Sequence, residues 1–429
     1  MEHRIMQLTE EQSAILNGSR GDVVAKVMKT LVMYGETFGA PKMVPVTGEY
    51  GHLVTSFGLS MLNPIYDLMD TLIEAGAVSG QGFSVNPRPM DPNVPVTWLQ
   101  KLLFKKMYGV QEKYEKQLAK LGLMNKNAFT CTCYMDEVGN KPKQGEVLSW
   151  AESSAVVYAN SVLGARCNRN SGILELFGSI VGYVPYFGLL TDEGRKATWV
   201  VEVKTDRLPE AQILGSAIGI KVMEDVPYIK GLERFLGTEL NQSVCAYLKD
   251  MGAATASNGA VGLYHVAGLT PEAVQQGDGL ITPDARTYVI DDAELQRVKE
   301  SYPCIWKDSH AAPKLAFIGC PHLSVEQLLG WSKDLCGRLD AAGRTKVAVP
   351  TVLTASPDVI RHYETYPEAA QLKKTGAVVA PLCPLMFMNN PLCGKMPVIT
   401  NSNKLRTYST ARYYTDAELL EWIVKGRGV

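Results

Sequence analysis

Nine cysteines are the residues in this 429-residue chain best placed to do chemistry, and an odd count describes no disulfide framework. Cys245 in SVCAYL, Cys304 in YPCIW and Cys336 in DLCGRL read as small packed hydrophobes. Three others keep different company. Cys320 directly follows the apolar run KLAFIG (314–319) and precedes Pro321 and His322. Cys383 directly follows AVVAPL, with Pro384 after it, and Cys131 lies with Cys133 in the uncharged segment TCTCY (130–134). Ligands bind at the carboxyl ends of strands in open parallel sheets, so two thiols leaving one sheet edge could converge on one metal or cluster. Thiolates select zinc or iron–sulfur. No CxxC pair is present, so ordinary packed thiols are the competing reading.

The densest polar segment is WAESSAVVYANSVLGARCNRN (150–170). Ser153 or Ser154 could cap a helix there. Asn160, Arg166, Asn168 and Arg169 invite a second use, because two arginines around an asparagine could grip a carboxylate or phosphate bidentately. Surface salt bridges would use the same residue types. The loop TGEYGH (47–52), with Thr47 and His52, offers an acid, a base and glycines. NSNK (401–404), after the strand-like VIT, sets Ser402 and Lys404 at a strand's carboxyl end. His265, in the apolar GLYHVAG, reads as a satisfied core histidine. No glycine-rich segment matches a phosphate loop opening a helix.

The elements that must hold these residues alternate. TEEQ (9–12) fits a capping box, and helices are expected over Arg20–Glu36, Trp98–Leu121 and Ser154–Gly164. Strands are expected over 314–319, 346–352, 376–381 and 396–400, with helices between, which predicts βαβ units and a mostly parallel sheet behind a helical N-terminal region. A single soft boundary falls near 270–310, where DDAELQRVKES reads as a charged surface helix. Gly172–Leu190 carries Glu175 and Pro185 and reads as buried core, not a membrane span. Lys and Arg number 43 against 44 Asp and Glu, a net charge of -1 that gives no reason to expect nucleic acid or an anionic membrane. The opening MEHRIMQLTEEQ has no apolar signal core, so a cytoplasmic protein is expected.

Six segments, taken together and in order, resemble the signature of the aconitase X family. They are AFTCTCY (128–134), WAESSAVVYANSVLGARCNRNSG (150–172), GAVGLYHVAGLTPEA (259–273), IGCPHLSVEQL (318–328), VVAPLCPLMFM (378–388) and VITNSNK (398–404). The resemblance implies an aconitase-like α/β core and a hydro-lyase that removes water from a small hydroxy acid. It implies an iron–sulfur cluster, [4Fe-4S], [3Fe-4S] or [2Fe-2S], on Cys131, Cys320 and Cys383. It places substrate near Thr47, His52, Ser153, Ser154, Asn160, Arg166, Asn168, Arg169, Ser402 and Lys404. The family's small swivelling part carries a Gly-Arg-Gly followed by serines, whereas the closing Gly-Arg-Gly here is followed only by Val429. The chain therefore resembles a large subunit, 1–429, that needs a separate small subunit to supply the base. With no surplus cationic cluster beyond Arg166 and Arg169, a cis-3-hydroxy-L-proline-like substrate is favoured over mevalonate 5-phosphate. A homologue that binds a cluster without turnover, and a closed zinc site, are the non-enzymatic alternatives.

Overall fold

Helices start where the sequence supplies caps. Thr9, Thr97, Ser324 and Thr415 each accept from the N3 backbone while the N3 Gln or Glu returns a bond, four complete capping boxes. The computed structural model describes residues 6–426, so Arg427 and Gly428 of the closing Gly-Arg-Gly lie outside the described residues. Two parallel sheets dominate. One runs in the order Val378–Ala380, Thr351–Ala355, Leu315–Leu323, Val398–Thr400, Arg412–Tyr413. The other runs His265–Val266, Pro227–Lys230, Ala197–Val203, Ile281–Ile290.

All nine residues of Leu315–Leu323 are buried, as a central strand covered on both faces requires. Helices Val325–Ala341, Pro357–Tyr363 and Asp416–Lys425 supply the covering apolar side chains, among them Leu335, Val359 and Ile423. The helical N-terminal region packs through Met28, Leu31 and Leu118 onto helix Gly172–Val181, so the 172–190 stretch is core, as read. Within it Gly51–Leu53 pairs in parallel with Phe83–Val85, and Met43–Pro45 pairs antiparallel with Tyr183–Pro185. Among the described residues no helix is long and apolar enough to cross a membrane.

Two elements and one cysteine differ from the sequence reading. The expected helix over 98–121 is two, Trp98–Met107 and Gln111–Leu121, because the Met107 carbonyl turns out to accept from Ser60 N–H at 2.7 Å and Gly109 lies hard against Lys105. The strand expected over 346–352 runs instead over Thr351–Ala355; Pro350 precedes it and its carbonyl accepts from Ala316 N–H. Cys304 is exposed and not a packed hydrophobe, whereas Cys245 and Cys336 are partly buried. The charged helix expected at DDAELQRVKES (291–301) is present as Asp292–Glu300.

Candidate active site

The three singled-out cysteines come from separate segments, and the fold gathers them. Cys131 follows Phe129, whose neighbour Val85 forms an isolated bridge to it, so the loop hangs from strand Phe83–Val85. Cys320 lies inside the long central strand, beyond the point where its regular pairing shifts. Cys383 stands just past strand Val378–Ala380 and opens the short helix Pro384–Met388. Two of the segments are parallel strands separated by Thr351–Ala355, so their carboxyl ends share one edge. All three cysteines line one cavity of about 270 Å³.

Charged and polar groups share that wall. Lys404 and Glu152 line the cavity and face each other as an ion pair, each about one-tenth exposed. Lys404 Nζ also donates to Ser154 Oγ at 3.2 Å, and Ser154 Oγ donates to Glu152 Oε1 at 3.2 Å. Burial alone would raise the Glu152 carboxyl, but the Lys404 ammonium beside it holds it below the usual range. Burial would lower Lys404, and Glu152 with Cys320 and Cys131 reverses that, so the side chain stays an ammonium. Ser402 caps helix Asn403–Tyr408, accepting from Leu405 N–H at 3.1 Å, and its hydroxyl donates to the Cys320 carbonyl. One serine thus ties the helix carrying Lys404 to the strand carrying Cys320.

The donor set fits an iron–sulfur group. Burial pushes the Cys131 thiol up to about 12 and raises Cys320 and Cys383 too, so burial by itself favours neutral thiols. Lys404 acts against that rise at Cys131 and Cys320, which favours thiolates once a metal takes them. Among the described residues no three His, Cys, Asp or Glu are spaced to grip one metal ion. Three thiols from separate segments lining one cavity are the donor type that an iron–sulfur cluster takes.

The other predicted site residues divide. Ser153 lines the cavity at the first turn of helix Ser153–Ser161, whose N-cap is Glu152 and not a serine. His52 is sealed behind it: Nδ1 lies 2.8 Å from Ser84 Oγ, the ring meets Trp150 edge-on, and burial pushes its pKa down to about 4. Arg169 is exposed, takes no hydrogen-bond partner among the described residues and lies against Gly262, within electrostatic reach of the cavity residue Tyr408. Four residues stand outside the cavity wall and are occupied elsewhere. Thr47 Oγ1 accepts from Val147 N–H at 2.8 Å. Arg166 binds Asp192 and the Leu190 carbonyl. Asn168 donates to Phe187 O at 3.0 Å and accepts from Leu189 N–H at 2.8 Å. Asn160 bridges Cys167, Gly262 and Arg195 through bonds of 2.8 to 3.1 Å. Arg195 in turn pairs bidentately with Glu272 at 2.7 and 2.8 Å, and His265 Nε2 meets the Arg195 carbonyl at 2.8 Å, a satisfied core histidine. Among the cavity residues that escaped the sequence reading are Glu152 and His322. Their signals were an acid directly before a helix and a histidine two places after a candidate ligand.

An α/β core that presents three thiols, a lysine and a carboxylate to one cavity has the donor set that an aconitase-type hydro-lyase uses. The chain belongs to the aconitase X family: models of the aconitase X first, second and third domains match residues 5–193, 197–300 and 313–422. It is similar to the phosphomevalonate dehydratase large subunit of Thermococcus kodakarensis, 32% identical over 94% of this chain and 95% of that one. It is similar as well to the cis-3-hydroxy-L-proline dehydratase of Pseudomonas aeruginosa, 30% identical over 66% of this chain but only 47% of that longer protein. The crystal structure of Thermococcus kodakaraensis aconitase X (holo-form) superposes with a TM-score of 0.78 at 28% identity, covering 97% of this chain and 100% of that one. These relatives are dehydratases, and the chain is a hydro-lyase of their class.

Proposed function

We propose that the chain is the large subunit of a dehydratase that removes water from mevalonate 5-phosphate, with an iron–sulfur cluster held by Cys131, Cys320 and Cys383. The observation that carries this reading is the end-to-end match to a large subunit of that enzyme, 94% of one chain on 95% of the other. It reverses the substrate order expected from sequence. The hydroxyproline enzymes are about twice the matched length, and cis-3-hydroxy-L-proline becomes the second reading.

The cluster, when bound, supplies a Lewis acid for the departing hydroxyl. The rest falls to this chain's own groups. Lys404 has two of its three N–H bonds committed, to Glu152 and Ser154, and the third is available to a substrate carboxylate. Ser153, one position into the helix, adds a hydroxyl and a free backbone N–H at the same wall. Arg169 offers an uncommitted guanidinium fork at the Tyr408 side, the geometry a phosphate takes bidentately. Val54, Phe57 and Leu385 give the cavity wall an apolar side. The base that takes the proton belongs to the small subunit.

The test is an anaerobic assay of the chain with and without a small subunit of this family, on both substrates. Turnover of mevalonate 5-phosphate only when both subunits are present is expected. Turnover of the hydroxyproline alone, or full activity from the large chain by itself, contradicts the proposal.

A further inference from the structure

The three cysteines arise from one loop and two non-adjacent strands, so strand pairing alone does not set the distances between them. His322 does touch all three segments. It lines the cavity, is 1% exposed and has every polar atom engaged. Its backbone N–H donates to Cys131 Sγ at 3.3 Å. Its carbonyl accepts from Lys249 Nζ at 2.9 Å, and that lysine is itself 1% exposed. Ring Nε2 lies 3.0 Å from the Leu382 carbonyl, next to Cys383, and Nδ1 lies 3.1 Å from Thr130 Oγ1, next to Cys131.

The proton positions follow. A carbonyl oxygen only accepts, so Nε2 carries the hydrogen, and in the neutral ring Nδ1 accepts from the Thr130 hydroxyl. Thr130 is free to donate, because its oxygen takes the Thr132 N–H at 3.1 Å and lies 3.1 Å from the Thr132 hydroxyl, which donates in turn. With the ring neutral, the whole chain of bonds is consistent and the imidazole is fully satisfied. A group so committed has no N–H or lone pair left for substrate.

We propose that His322 is the positioning residue of the cluster site, a brace two residues past Cys320 that ties the Cys131 loop to the Cys383 turn. This rests on the reading of those three cysteines as the ligands. Groups that orient ligands from behind typically change metal affinity about 10–100-fold when removed.

Three variants separate the arms. His322→Phe keeps the ring's shape and loses both side-chain bonds. His322→Gln can place a donor where Nε2 stood and keep the Leu382 bond; His322→Asn can place an acceptor where Nδ1 stood and keep the Thr130 bond. Each is reconstituted without oxygen and read by iron and sulfide per chain and by the rate at which a chelator strips the iron. The apoproteins are also titrated with phenylarsine oxide, a trivalent arsenical that needs closely spaced thiols, and checked by circular dichroism. The expected result is at least tenfold faster iron loss and weaker arsenical binding in His322→Phe, with Gln and Asn between it and wild type. Wild-type iron retention and arsenical affinity in His322→Phe would overturn the proposal. If that variant does not fold, wild-type behaviour in both Gln and Asn would overturn it equally. The arsenical arm reads the brace without any cluster. Tight arsenical binding that weakens in the variants, in a wild type that never takes up iron, would keep the brace and remove the cluster.

Discussion

Lys404 and Glu152 take two charges out of water at the cavity wall, and such a pair holds together only with good geometry and further hydrogen bonds. Ser154 supplies one of those bonds to each partner. Removing one member strands the other, so Lys404→Met should cost about 3–5 kcal/mol in urea denaturation. Lys404→Met with Glu152→Gln should recover most of that; additive losses would show that the pair is not coupled. The thiols behave differently. Cys383→Ser should lose iron and activity while the circular dichroism spectrum survives, and an unchanged iron content would strike Cys383 from the ligands. Arg169→Lys should raise KM with little change in kcat, because a bidentate fork becomes a point charge. Normal KM with the true substrate would free Arg169 from any substrate role.

Helix Ser153–Ser161 shows how an element carries the site. Eight of its nine residues are buried, and Asn160 near its end locks it to Arg195 and the Glu272 pair while its beginning faces the cavity. Asn160→Ala leaves the Cys167 N–H, the Gly262 carbonyl and one arm of Arg195 with lost partners, at a cost of about 1–3 kcal/mol for such stranded groups. A lower Tm with near-normal KM is expected; a specific loss of substrate affinity would return Asn160 to the binding set. The same helix shows what a sequence discloses. Cys320, Ser402 and Lys404 were legible because apolar runs ending in polar or thiol groups mark strand ends locally. Asn160, Arg166, Asn168 and Thr47 were not, since these residue types bind ligands and satisfy backbone equally well. Only partners brought in by folding, such as Leu190, Asp192 and Val147, decide between the two. Glu152 was missed for the same reason: its cation lies 252 positions away. The break between Met107 and Gln111 left the apolar period unbroken, so the spacing ran through it.

At the scale of the molecule, the fold seals a carboxyl, Glu175, with no cation beside it among the described residues. Burial raises Glu175 to about 8, and its bonds to Ser149 and Asn170 at 2.7 Å only partly oppose the rise. The folded chain keeps this proton while the unfolded chain releases it near the ordinary value of 4.5. Stability therefore falls as pH rises from about 4.5 to about 8 and levels off above that. Glu210, raised by burial to about 7, acts in the same direction. Glu175→Gln should flatten that fall in urea midpoints measured across the window, and an unchanged slope would remove Glu175 as its source. The three thiols are tested most directly by iron and acid-labile sulfide per chain, with an absorption spectrum, on protein purified without oxygen. Brown protein with matched iron and sulfide, lost together in Cys131→Ser, Cys320→Ser and Cys383→Ser, is the predicted result. A colourless chain that takes up no iron and sulfide on reconstitution, or one whose cluster survives all three changes, would contradict it.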